Sequence, residues 1–333
     1  MSDMGTVYVY GIAGASVNKP DVMDAMNNVD PYDTPLLNLA PKVPISHTTT
    51  EWLEDTLTAT STAGRREGES FTQDNLLSGS RVTNVTQIFG KHVLISETQQ
   101  AVSSYGFTDT FLYEIMKGTR EVMRNIESRL LAASGGSATG SGTAATAGSA
   151  RVMKNVSDFL TTNKFHVNST TIGGSDSTSG ASATPIGEAE FNGALQLTWE
   201  NGGNPNWVFV AGPGKRQISG FTGNVIAGGA TPTAFIDAGE EQVGRAVNSY
   251  LSDFGLQNVA LDRWVPKGGT GTTITGALYG LELPRVQIGF LRPIRFERLA
   301  KDGDRVRGMV IGEASLRLLN QKAHYQLFGI RAS

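Results

Sequence analysis

The chain has 333 residues, a formal net charge of −3 and no cysteine. It is long enough for one large or two ordinary domains, and its mild negative charge argues against a general polyanion binder. The missing thiol excludes disulfides, zinc–thiolate sites and cysteine nucleophiles.

The opening MSDMGTVYVYGIAGAS has no basic flank and no long apolar run, so no signal peptide is expected. No stretch approaches the ~20 apolar residues of a membrane span. Residues 1–45 read as an extended arm, because Pro31, Pro35, Pro41 and Pro44 each deny the preceding residue the helical region. Leu36, Leu37 and Leu39 are its apolar anchors. Such an arm has no core of its own and must lie on another surface.

Residues 46–97 read as a long two-stranded ribbon. Its outward leg runs over 45–60 and its return leg over 80–97, where Phe89, Val93 and Ile95 alternate onto one face. The tip between the legs is charged and bounded by glycine. A ribbon of two strands is marginal alone in water, so it too needs a neighbouring surface. Glu51, Glu54, Asp55, Arg65 and Arg66 crowd it and can face either solvent or another subunit.

Residues 108–133 carry the strongest periodic signal. Phe111, Ile115, Val122, Ile126 and Leu130, with Leu112, Met116, Met123 and Leu131 beside them, predict a helix with one broad apolar face. Thr108 or Asp109 can cap its start, and Gly135 and Gly136 can end it. At about 26 residues and ~1.5 Å each it would be a rod of roughly 39 Å. Lys117, Arg120, Glu121, Arg124 and Glu127 fall on its outer side, with Lys117–Glu121 and Glu121–Arg124 spaced to pair.

Residues 134–150 are drawn from Ala, Gly, Ser and Thr and read as a link; 169–185 repeat the composition. Val152, Val156, Phe159 and Leu160 between them suggest a short helix. A helix is expected from Pro185, with the proline at its first position, to Gly202. Residues 206–211 then read as a buried strand, followed by a turn into a short helix. Residues 243–265, 281–299 and 305–330 are strand-like, and Asp302-Gly303 joins the last two as a hairpin.

No constellation for catalysis emerges. The run from Val210 to Lys215 imitates a phosphate loop, but Phe209 and Arg216 stand where that loop needs Gly and Ser or Thr. His47, His92, His166 and His324 show no metal-ligand spacing. Glu188 with Glu190, and Asp302 with Asp304, are neighbours of the solvated kind. The arginines of 292–298 and 305–307 can face nucleic acid or guard a strand edge.

The stretches DPYDTPLLNLAPK (30–42), QIFGKHVLISETQQAVSSYG (87–106), RNIESRLLA (124–132) and EASLRLLNQKAHYQLFGI (313–330) resemble one branch of the tailed-phage major capsid proteins. The resemblance implies an α+β, Hong Kong 97-like fold. In it, 1–45 would be the N-arm, 46–97 the E-loop, and 98–185 the first part of the P domain with its spine helix. Residues 186–280 would form the A domain, and 281–333 would return to the P domain. The implied function is self-assembly through hexamers and pentamers into an icosahedral shell around double-stranded DNA. Arm and ribbon would then find their missing surface on sister copies. Glu51, Glu54, Asp55, Arg65 and Arg66 are expected to make cross-subunit pairs with Lys117, Arg120 or Arg124. The implied partners are the chain itself, a separate scaffolding protein, a portal, decoration proteins and non-specifically contacted DNA. The implied setting is the virion, assembled in the host cytoplasm. No enzymatic role and no cofactor are expected. No coiled-coil scaffolding extension stands at the N-terminus, and no Lys–Asn crosslinking pair is matched. The rival readings are an encapsulin-like shell with protein cargo and, from another class, a secreted adhesin or fibre module.

Overall fold

The computed structural model describes residues 30–57, 64, 66–68, 79–102, 109–132, 150–167, 184–221, 248–267 and 276–331. Arg65, Thr108, the glycines at 135 and 136, residues 1–29, most of the ribbon tip and nearly all of the two Ala/Gly/Ser/Thr tracts lie outside the described residues.

The arm supplies helix α1 (Pro35–Leu39) and strand β1 (Lys42–Pro44). The ribbon segment supplies β2 (Thr49–Glu54), β3 (Ser80–Val85) and β4 (Gln87–Ser96), then the short α2 (Glu97–Ala101). The long helix is α3 (Thr110–Leu130), followed by α4 (Val156–Phe159) and β5 (Lys164–His166). Next come α5 (Glu188–Glu200), β6 (Trp207–Val210), α6 (Gly212–Ile218), β7 (Ser249–Ser252) and β8 (Gly255–Leu261). The chain closes with β9 (Gly276–Leu281), β10 (Val286–Arg298), β11 (Arg305–Leu318) and β12 (Tyr325–Ile330).

These strands make a four-stranded sheet in the order β1-β10-β11-β4, a six-stranded sheet β5-β12-β9-β6-β8-β7, and the pair β2-β3. The β10–β11 hairpin turns at Gly303, whose φ of 75° suits a residue without Cβ. Pro293 interrupts β10 where the register with β11 shifts, a bulge that tolerates the missing N–H.

Helix α3 lies over the four-stranded sheet. Val122, Ile126 and Leu130 share one core with Phe89, Ile288, Val310 and Leu316. It is shorter than the expected 26 residues, at 21. Asp109 caps it, its carboxylate accepting from the N–H groups of Phe111 and Leu112. At the other end the chain leaves the helix at Leu131, and the Tyr279 hydroxyl serves the carbonyls of Leu131 (3.3 Å) and Ala132 (3.1 Å).

The six-stranded sheet is covered on both faces. Phe209 and Tyr279 point into the core beneath α3, whereas Val208, Val210 and Leu278 pack with Phe191, Leu195, Ile218 and Tyr325 in a second core under α5 and α6. Two covered faces explain the apolar runs of β6 and β9 and the unbroken burial of β12, where the one polar side chain, Gln326, accepts from the Ser157 hydroxyl. Gly280 in β9 is where this packing is tightest: an added Cβ would sit 1.9 Å from the Tyr325 ring, which is held by Phe191 at 6.3 Å between centroids. Gly280→Ala is therefore expected to cost roughly 3 kcal/mol by overpacking. A denaturant midpoint equal to the parent's would refute that.

Three expectations are corrected. The return leg of the ribbon divides: only 80–85 pair with the outward leg, Thr49 opposite Val85 and Glu54 opposite Ser80. Strand β4 instead joins β11 in an antiparallel ladder from Ser96↔Arg305 to Gln87↔Ala314. Phe89, Val93 and Ile95 do share a buried face, and it is covered by joining the sheet under α3, which a lone ribbon could not do. The arm, expected to rest on sister copies, is placed by its own chain over 34–45: Leu36 and Leu37 are buried against α3, and β1 runs parallel to β10. Finally, Pro185 stands ahead of α5 rather than at its first position, because Thr184 bridges to Ile330 and holds that segment extended.

Candidate assembly surfaces

The first surface is the ribbon. Its root is clamped to the body by side chains that alternate along β2. The Thr50 hydroxyl is 3.2 Å from that of Ser315. Trp52 tilts against Phe159 with ring centroids 5.6 Å apart, and its indole N–H donates to Glu54 (3.0 Å). Glu54 also accepts from the backbone N–H of Asn320 (2.8 Å). From β3, the Asn84 amide donates to the carbonyl of Leu316 (2.7 Å) while its oxygen accepts from Lys154 N–H (2.9 Å). The opposite face is bare: Leu53 is 74% exposed, and Leu57 beyond the strand is 98% exposed. Two leucines left in water along the outward leg, one on β2 and one just past it, offer apolar surface for another molecule to cover.

At Thr86 the chain passes from ribbon to sheet, and a buried carboxylate fixes the corner. Glu313, 3% exposed, accepts from the Thr86 hydroxyl (2.6 Å), Arg151 (2.6 Å) and Arg292 (3.0 Å). A buried carboxylate flanked by two guanidinium groups is paired and hydrogen-bonded as such a charge requires.

The second surface is the outer side of α3 with the arm beside it. Leu112, Met116 and Met123, expected to flank the buried face, instead form an outward apolar row. Beside Met123 a groove of about 440 Å³ opens between the arm and β10, lined by Leu37, Val43, Phe290 and Ile294 among others. Glu127, expected on the outer side, is wholly buried and accepts from the N–H groups of Leu36 (2.6 Å) and Leu37 (2.8 Å), capping α1 from 90 residues away. Burial, and next the nearby Asp262 carboxylate, push the Glu127 carboxyl up to about 9. No local pattern flags this residue, because its partners are backbone groups of a distant segment.

The ionic residues singled out from sequence divide in the same way. Glu51 pairs with Arg81 inside the ribbon (3.2 Å), and Glu54 serves Trp52 and Asn320. Asp55 accepts only from its neighbour Thr56 N–H and has no ion-pair partner among the described residues. Arg66 is exposed beside the turn at 67–68. Lys117 pairs with Glu114 (3.6 Å) rather than Glu121, which reaches across to Lys91 on β4 (2.7 Å). Arg120 lies over the Tyr32 ring at 4.9 Å and Arg124 over Trp264 at 5.6 Å. Of the spine cations, Arg120 thus contacts the arm of its own chain, Arg124 the segment after β8, and Lys117 its own helix.

The sequences that imitated catalytic motifs have structural duties. Lys215, in a seven-residue helix, donates to the carbonyl of Val259 (3.2 Å). His324 is buried, accepts from Glu282 N–H (3.1 Å), and is pushed down to about 3 by burial and then by Arg285. Glu188 accepts from the Tyr250 hydroxyl (2.8 Å). Of the basic clusters, Arg292 holds Glu313, Arg295 pairs with Glu297, and Arg305 and Arg307 bind Asp302 at the hairpin.

Solved structures similar to this chain include that of Microbacterium phage Oxtober96, at 14% identity and a TM-score of 0.60 over 94% of this chain and 96% of that one. Another is the capsid of a native GTA particle, at 11% identity and 0.63 over 98% and 100%. A third is the capsid of Myoviridae phage XM1, at 13% identity and 0.59 over 96% and 100%. These likenesses give the fold, α+β and Hong Kong 97-like. The major capsid protein of Escherichia phage Phieco32 is 29% identical over 104 residues, which is 31% of this chain. The match spans 30% of that curated relative. A family model described as SU10 major capsid protein matches residues 6–331, and the chain accordingly belongs to the SU10 major capsid protein family.

Proposed function

We propose that this chain is the shell-forming subunit of a tailed phage, assembling through hexamers and pentamers into an icosahedral capsid around double-stranded DNA. The family match over 6–331 supports the role. The observation on the chain itself that carries it is the ribbon, clamped at its root while Leu53 and Leu57 stand in water. Sister copies are the natural cover for that face and for the outward row of α3, since every copy carries both. In this reading 1–45 is the N-arm, 46–97 the E-loop, 98–185 the start of the P domain, 186–280 the A domain and 281–333 the return to the P domain. Assembly in the host cytoplasm, with a separate scaffold, a portal and decoration proteins, completes the proposal.

Light scattering and electron microscopy of the assembled product, with a nuclease-protection assay, test it: closed particles holding protected duplex DNA are expected. A chain that stays monomeric with its scaffold present, or closed particles holding only protein, would overturn it. Among the ionic residues, those toward the ribbon tip, Asp55, Arg65 and Arg66, are proposed to pair across subunits. Arg65→Glu/Arg66→Glu is expected to cut shell yield severalfold while the subunit folds as before. Unchanged yield and shell stability would reject that contact.

A further inference from the structure

Three segments distant in sequence meet at one buried pair of carboxyl groups. Glu127 of α3 receives the N–H groups of Leu36 and Leu37 on its two oxygens. Asp262, just past β8 and 1% exposed, touches the Glu127 side chain. One oxygen of Asp262 accepts from Trp264 N–H (2.8 Å); the other has no N–H or O–H donor among the described residues. The cations of this corner are engaged elsewhere. Arg263 pairs with Asp33 (3.5 Å), Arg124 covers Trp264, and Arg120 covers Tyr32. Asp33 itself adds a further negative charge near Asp262. Two touching carboxylates, out of water and without a cation, cannot both stay ionised. A proton held between them removes one charge and supplies the donor that Asp262 lacks.

We propose that Glu127 and Asp262 hold one shared proton that latches the arm helix α1 to the spine helix α3, so that the arm loosens from its own subunit as pH rises. Burial raises the proton affinity of both groups, Glu127 to about 9. Once the arm lifts, water reaches Glu127 and its affinity relaxes toward the ordinary value of 4.5. Between those values the docked state holds one proton more than the lifted state. Docking is strongest below the lower value and weakens about tenfold per pH unit up to the higher one. In a shell of the kind proposed above, a lifted arm becomes available to a sister copy. That consequence rests on the shell reading, whereas the latch is measured on the isolated chain and stands or falls without it.

Hydrogen-exchange protection factors for residues 34–40 of the full chain, taken from pH 6 to 9, decide it. The native chain is expected to lose about tenfold in protection per pH unit. Asp262→Asn places an amide N–H where the shared proton sat, so protection should persist and become independent of pH. Glu127→Gln, donating from Nε2 to Asp262, keeps one acceptor for the two arm N–H groups, so its protection should be lower but equally independent of pH, and it serves if the first variant fails to fold. A flat profile in the native chain, or an undiminished slope in whichever variant folds, overturns the latch. If neither variant folds, the native slope alone decides.

Discussion

Glu313→Ala is expected to destabilise the subunit by about 3–5 kcal/mol, the range for removing one partner of a buried ion pair. The carboxylate holds three groups at once: the Thr86 hydroxyl, Arg151 and Arg292. Its loss strands two guanidinium groups beside the bulge in β10 and frees the corner where the ribbon enters the sheet. Their side chains remain 26% and 35% exposed, so water recovers part of the loss and the lower end of the range is expected. Glu313→Gln keeps an acceptor for Thr86 and one arginine but forfeits the charge, and should fall between parent and alanine. Denaturant unfolding with two probes measures both. An alanine variant within about 0.5 kcal/mol of the parent, the usual effect of a surface substitution, would show that the arginines resettle in water without penalty.

The same corner shows what the sequence could and could not disclose. Alternation at Phe89, Val93 and Ile95 marked one buried face, and that face exists; what it could not say was which strand would lie alongside. The partner, β11, is over 200 residues away, and local pattern speaks only for neighbours. The hairpin at Asp302-Gly303 and the strand Trp207–Val210 were legible because turn chemistry and a run buried on both faces are local properties. Helix α3 was legible in kind but not in facing. Its apolar residues outnumber the positions one sheet can cover, so Leu112, Met116 and Met123 are left outside. The polar Glu127 went inside because two backbone N–H groups from the arm needed an acceptor. The arm shows the reverse case. Leu36 and Leu37 were the right anchors, but the surface that receives them belongs to the same chain. What still lacks a cover is the ribbon, together with the outward row of α3.

Leu53→Asp/Leu57→Asp should therefore separate folding from assembly. Both side chains are already in water in the single subunit, at 74% and 98% exposure. Neither change removes a buried contact, so subunit stability should move by no more than about 0.5 kcal/mol. On a shell surface the balance differs. Covering a leucine contributes about 1.5–3 kcal/mol, so two lost leucines weaken each contact by roughly 4 kcal/mol, about a thousandfold in its association constant. Two carboxylates placed against an apolar neighbour add a desolvation cost in the same direction. Since every subunit carries the ribbon, the deficit recurs at every contact and closed particles should disappear. Leu53→Met/Leu57→Met, which keeps the apolar volume, should assemble as the parent does. Size-exclusion chromatography and electron microscopy of the three proteins, beside a denaturant curve for each, read both halves of the expectation. Particles of normal yield and heat resistance from the aspartate variant would mean that this face stays in water in the finished shell, and the ribbon would no longer support the assembly role.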